Sequence, residues 1–290
     1  MKPRTNNATA AFVWMTLSAM SFSVMSFLVR KLSTQVPQFE LVFFRSVVNF
    51  VIVLSVMGIR RERLLPPKKD LSLLIGRGIA GFLGASCLFY GLSHLPLAIA
   101  SLLNWSSPLF VIVFSRFLIQ ERLPNRSLIW IFCSFLGLIL LLNPDFSTGH
   151  VPLPPFAVFI AVAGAAFGAL AYVAVRAATA RVGSNSIILY FTGISTLLSA
   201  PLAIATGHTP SSHELQLLLV LGIFASLGQF AMTQGYRFAP AGIVSTMGLL
   251  NAAFAALLGW QFLGEVFGWS QWVGMLWLAL SVMMVTRSSK

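Results

Sequence analysis

The sequence predicts an all-α polytopic membrane protein with ten transmembrane helices, arranged as two inverted five-helix repeats. Three observations carry this. Of 290 residues, 57% are hydrophobic and 9% charged, with a mean hydropathy of +0.87; a soluble domain carries roughly a quarter charged residues. Apolar runs of about 20 residues, each long enough to cross ~30 Å of hydrocarbon, recur along the whole chain. The stretch from Gly91 to Glu121, GLSHLPLAIASLLNWSSPLFVIVFSRFLIQE, returns without a gap from Gly235 to Glu265 as GYRFAPAGIVSTMGLLNAAFAALLGWQFLGE. Gly91 falls on Gly235, Pro96 on Pro240, Ser101 on Ser245, Phe110 on Phe254 and Glu121 on Glu265. Such a repeat divides the chain near residue 150, into a first half over 11–143 and a second over 154–286.

Span 1 covers 11–32 and ends at Arg30 and Lys31. The residues after it lack a small-residue cleavage pattern, so it is expected to be retained. Span 2, 37–57, is followed by Arg60, Arg61, Arg63, Lys68 and Lys69. Span 3, 71–93, carries Gly76, Gly78, Gly81 and Gly84, which favour close helix approach. Span 4, 96–118, opens on Pro96, since a missing N–H costs nothing in a first turn; Pro108 is expected to kink it and Glu121 to stop it. Span 5 covers 126–143. Span 6, 154–175, runs into Arg176 and Arg181. Spans 7 and 8 cover 184–206 and 214–236. Span 9, 240–263, opens on Pro240 and stops near Glu265. It has Ala252 where span 4 has Pro108, so the halves are not expected to move alike. Span 10 covers 268–286.

With connections on alternate sides, sixteen of the 19 Lys and Arg fall on one side, Arg77 counted with them. Only Arg30 and Lys31 fall on the other, and Arg45 lies within a span. The positive-inside rule then puts both termini in the cytoplasm of a bacterial inner membrane. It also accounts for the formal charge of +12: no soluble domain exists to carry a basic face, so a nucleic-acid partner is not expected. Cys87 and Cys133 both lie in apolar runs and read as small core residues. Five spans per half is an odd number, so the second half crosses the membrane in the opposite sense. Span 1 also matches span 6, with Phe22, Phe27 and Lys31 on Phe167, Tyr172 and Arg176. Inverted halves about an in-plane pseudo-two-fold axis are an architecture of secondary carriers. Two similar halves can pack in two nearly equivalent ways, opening a central cavity to one side or the other.

The half-repeat APAGIVSTMGLLNAAFAALLGWQFLGE, its first copy, and ELVFFR in span 2 resemble the drug/metabolite transporter superfamily, specifically proteins built from two EamA domains. ELVFFR with LFYGLSHLPLAIASLLNWSSPLF is similar to the branch that holds bacterial S-adenosylmethionine carriers and eukaryotic organic-anion carriers. Exporters of amino acids and of opine-type metallophores are also similar. The resemblance implies ten helices around a central cavity, alternating access, a small-molecule substrate, no cofactor and no ATP hydrolysis.

Arg45 is the sharpest candidate, about eight residues or roughly 12 Å into span 2. A charge at that depth is by default functional. Its guanidinium either holds a solute carboxylate or phosphate with two hydrogen bonds, or pins helices through Glu40 or helix-end carbonyls. Tyr190 is its counterpart in span 7. Asn104 and Trp105 in span 4, Ser245 and Asn251 in span 9, Gln229 in span 8 and Tyr90 in span 3 are expected to face a polar cavity, although interhelical hydrogen bonding would use the same residue types. Glu40, Glu121 and Glu265 read as coupling or structural acids. Glu121 and Glu265 end their helices against the macrodipole, so each needs a partner.

No catalytic constellation is present. His94, His150, His208 and His213 share no metal spacing, and Asp70 and Asp145 sit at loop positions. A secondary carrier of an amino acid, or of an amino-acid-derived zwitterion or anion, is the leading reading, with export ahead of import. An intramembrane lipid-modifying enzyme lacks an acid–base or nucleophile pair. A structural or sensory subunit has no use for two opposed halves. A homodimer is compatible with all of this.

Overall fold

A computed structural model describes residues 7–33, 35–95, 97–143, 154–206, 209–262, 264 and 266–288. These form helices α1 (Ala8–Leu32), α2 (Gln38–Ile59), α3 (Lys68–His94), α4 (Leu97–Trp105), α5 (Ser107–Leu118) and α6 (Asn125–Leu142). They continue with α7 (Pro155–Thr179), α8 (Ser184–Ala205), α9 (Ser212–Phe238), α10 (Ala241–Met247), α11 (Leu250–Phe262) and α12 (Trp269–Ser288). Ten segments are long and apolar enough to span a membrane. Two of them, α4–α5 and α10–α11, are broken helices. Pro96, Asp145, His150, His208 and Glu265 lie outside the described residues.

Helix starts follow from local chemistry. Pro37, Pro67, Pro124, Pro154 and Pro240 occupy the position just before α2, α3, α6, α7 and α10. Pro240, expected in the first turn, thus stands one residue earlier; its φ of −55° and ψ of 147° make the extended entry. Ser211 and Glu214 form a reciprocal capping box on α9, satisfying two N–H groups that a helix start leaves open. Asp70, expected in a loop, lies in the first turn of α3, because that helix starts a turn earlier than its apolar run.

The two halves interleave. The dominant helix contacts are α6 with α12, α3 with α7, α1 with α9, and α2 with α8. Each pairs the first half with the second. Exchanging every span with its repeat partner maps this set onto itself, as it does the weaker contacts of α1 with α11 and α5 with α7, or α2 with α9 and α3 with α8. Glycines allow the closest approaches. A Cβ added at Gly84 would stand 3.0 Å from the backbone nitrogen of Gly168, and one at Gly137 2.6 Å from that of Leu278. Cys87 and Cys133 are free and partly buried.

Candidate functional site

Both broken spans bend at corresponding points. In span 4 the chain turns at Ser106, whose N–H and hydroxyl both donate to the Leu103 carbonyl. Pro108 has no N–H to offer the Asn104 carbonyl, so the helical ladder stops there. In span 9 the turn falls at Gly248 and Leu249, closed by short bonds from Gly248 to Ser245 and from Leu249 to Thr246. No proline is involved: glycine is a poor helix former and falls opposite Asn104 in the repeat. The expected asymmetry between a kinked span 4 and an unbroken span 9 is therefore corrected.

A cavity of about 260 Å³ lies between the halves beside these breaks. Arg45, Asn104, Trp105, Gln229 and Asn251 line it. An adjoining pocket of about 60 Å³ is lined by Ser245, Tyr172 and Tyr236, and shares Trp105 and Asn251 with the cavity. The Tyr172 and Tyr236 rings stack with centroids 5.8 Å apart. Six of the eight residues expected at a cavity wall are thus brought together. The other two are not. Tyr90 stacks on His94 at 4.0 Å between centroids and packs with Leu95 and Ala157. Tyr190 packs against the main apolar core, while its neighbours Phe191 and Thr192 line the cavity.

One wall residue was assigned elsewhere from sequence. Arg77 lies roughly 13 Å along α3 from Lys68 and is 3% exposed. Its guanidinium stands over the Phe191 ring at 4.0 Å and lines the same cavity as Arg45. Arg45 is therefore not the lone cation deep within a span. Gly81, one turn on, leaves room for this arrangement: a Cβ there would meet the Arg77 guanidinium and lie 2.7 Å from Phe191. Its place near the basic end of span 3 puts Arg77 in the charge count. The signal against that was the apolar sequence on both sides of it.

The acids are occupied elsewhere. Glu40 is buried and accepts a 2.5 Å hydrogen bond from Thr206 at the end of α8. Arg45 makes no ion pair with it. Glu121 accepts from Arg176 Nε at 2.7 Å and from the Ala241 N–H at 2.8 Å. Arg176 Nη1 in turn donates to the carbonyls of Tyr236 and Arg237. The partner of Glu121 is thus Arg176, not the adjacent Arg122 or Arg126. The cluster ties α5, α7, α9 and α10 together at the basic end of the bundle. Asp70 with Arg181, and Glu62 with Asn185, make two more cross-half links at that end. There α5 packs on α10, whereas α4 and α11 make no comparable contact among the described residues. The bundle is closed at its basic end.

A family model described as EamA-like transporter family matches residues 9–143 and 155–287. The chain belongs to the EamA-like transporter family. It is 34% identical over 253 residues to the pseudopaline exporter CntI of Pseudomonas aeruginosa, covering 86% of both chains. It is 24% identical over 255 residues to an S-adenosylmethionine uptake transporter of Rickettsia prowazekii, covering 87% of this chain and 84% of that one. A crystal structure 20% identical in sequence superposes with a TM-score of 0.82 over 98% of this chain and 99% of the other; that likeness shows the fold alone. This EamA protein is a multi-pass membrane transporter of a small molecule. Discontinuous helices meeting beside a central cavity are where such folds hold substrate.

Proposed function

We propose that this EamA protein exports a small amino-acid-derived zwitterion or anion, such as an opine-type metallophore, across the bacterial inner membrane by alternating access. The observation that carries the reading is the charge of the cavity. Arg45 and Arg77 line it, and no Asp or Glu does among the described residues. Its volume, below the ~300–1,000 Å³ of sites for drug-sized ligands, suits a metabolite. Both termini lie in the cytoplasm on the charge bias, so closure at the basic end makes this the outward-facing state. The similarity to the pseudopaline exporter supports export. Uptake of a metabolite such as S-adenosylmethionine is the second reading, favoured by the weaker likeness to the Rickettsia protein, but a sulfonium cation sits poorly beside two guanidiniums.

Arg45→Gln tests this in reconstituted vesicles that exchange labelled amino-acid-derived anions, with protein abundance measured alongside. Removing a desolvated pairing charge costs about 2–4 kcal/mol, or roughly 30- to 1,000-fold in affinity. Arg45→Lys should recover part of this if charge alone matters and little if bidentate geometry does. Normal exchange by Arg45→Gln at normal abundance makes Arg45 a structural pin and removes the ground for an anionic solute.

A further inference from the structure

We propose that the connection between α2 and α3 is a docking surface for anionic phospholipid at the basic end of the bundle. It lies outside the spans and outside the solute cavity.

The segment RRERLLPPKKD runs from Arg60 to Asp70, and its charges are sorted by sign. Both acids are engaged by the protein. Glu62 accepts from Asn185 Nδ2 through both carboxylate oxygens at 3.0 Å. Asp70 is 1% exposed and pairs with Arg181 at 3.4 Å. The five cations Arg60, Arg61, Arg63, Lys68 and Lys69 are all exposed. An anion arriving from outside therefore meets cations whose neighbouring carboxylates are already occupied. Leu64 and Leu65 stand among them, 47% and 80% exposed, in the gap between spans that end at Ile59 and resume at Lys68. Leucine held in water is unfavourable. A phospholipid answers both features, with a phosphate for the cations and acyl carbon for the leucines. Free phosphate answers only the first.

Orientation in the membrane does not require this arrangement. The positive-inside rule asks only for Lys and Arg near span ends; it is indifferent to where the acids turn and to leucines between the cations. The backbone adds a further sign. The Glu62 N–H donates to the Met57 carbonyl at 2.9 Å and the Arg61 N–H to the Gly58 carbonyl at 3.2 Å, the bond pair that closes a helix through one left-handed residue. That residue is Arg61, with a φ of 53°, where glycine would sit with less strain. A cation holds the position instead. Glu62 and Asp70 fasten this segment to the second half through Asn185 and Arg181. A lipid seated on it therefore stabilises the closed basic end.

The test titrates short-chain phosphatidylglycerol into purified protein in a neutral detergent and reads the melting temperature. Phosphatidylcholine of the same chain length and inorganic phosphate are the comparison ligands. Each cation near an anionic surface strengthens binding about fivefold, so phosphatidylglycerol is expected to act at a concentration lower than phosphatidylcholine by a factor of about ten or more. Inorganic phosphate should not raise melting. The combined variant Arg63→Gln, Lys68→Gln and Lys69→Gln should lose the preference. Arg116→Gln, Arg122→Gln and Arg126→Gln together remove as many exposed cations from the same end and should keep it. Equal midpoints for the two lipids in the wild type, an equal response to inorganic phosphate, a preference that survives in the first variant, or its loss in both overturns the proposal. A second measurement removes no charge. With Cys87 and Cys133 replaced by serine, a dye on Leu65→Cys in mixed-lipid nanodiscs should be quenched more by brominated phosphatidylglycerol than by brominated phosphatidylcholine at the same mole fraction. Equal quenching overturns the proposal as well.

Discussion

At the scale of single residues, the charged side chains inside the bundle divide by what they touch. Glu121 and Arg176 have side chains 9% and 5% exposed and satisfy one another, two helix-end carbonyls and the first N–H of α10. Breaking a buried pair by neutralising one member leaves the other uncompensated, at about 3–5 kcal/mol. Glu121→Gln should therefore lower membrane abundance and melting temperature more than exchange per molecule. Normal abundance with exchange that no longer responds to a proton gradient would instead make Glu121 a coupling group. Arg45 and Arg77 are the opposite case, since the protein spends no acid on them. Arg45 was legible from sequence because its span has clear ends. Arg77 was legible only in its depth, from its apolar flanks. Its contact with Phe191 comes from the interleaving of the second half, and no local pattern reports a contact over that separation.

At the scale of elements, the two breaks reach the same geometry by different chemistry. Pro108 cannot complete the helical ladder, and Gly248 weakens it through backbone freedom. Local sequence shows a proline break plainly and a glycine break poorly, which is why span 9 read as continuous. Helix phase explains the misplaced Tyr190. One residue turns a helix by about 100°, so a repeat alignment good to a single residue in span 7 leaves open whether Tyr190 or Phe191 faces inward. If the breaks are needed to switch, Pro108→Ala should leave abundance unchanged or raised, because alanine favours the helix by up to ~3 kcal/mol. Exchange should slow at least tenfold, while binding to the resting state persists. Exchange at the wild-type rate, measured in the same vesicles, would show that the break at Ser106 is dispensable.

At the scale of the whole molecule, the repeat, the ten spans and the odd number per half were all readable, because hydropathy and charge are properties of sequence alone. That the halves interleave was not readable, since apolar helices of similar composition carry no label for their neighbours. The interleaving changes what alternation means. Every dominant contact crosses between halves, so switching exchanges one end's contacts for the other's. In the present state the contacts of α5 with α10 close the basic end. A Cβ added at Gly242 would stand 3.0 Å from Cγ1 of Ile112; that atom is one C–C bond from Ile112 Cβ, so the two Cβ atoms would lie no more than about 4.5 Å apart, at the outer edge of a disulfide's ~3.5–4.5 Å range. With Cys87 and Cys133 replaced by serine, the pair Ile112→Cys and Gly242→Cys should oxidise readily. Exchange should then fall to background and return on reduction, while binding from the open side persists. With the basic end in the cytoplasm, as proposed from the charge bias, only a membrane-permeant reductant should release the lock in intact cells. Exchange unaffected by complete oxidation would mean that α5 and α10 do not part during transport. Release by an impermeant reductant would invert the orientation, making the cavity inward-facing and uptake the better reading.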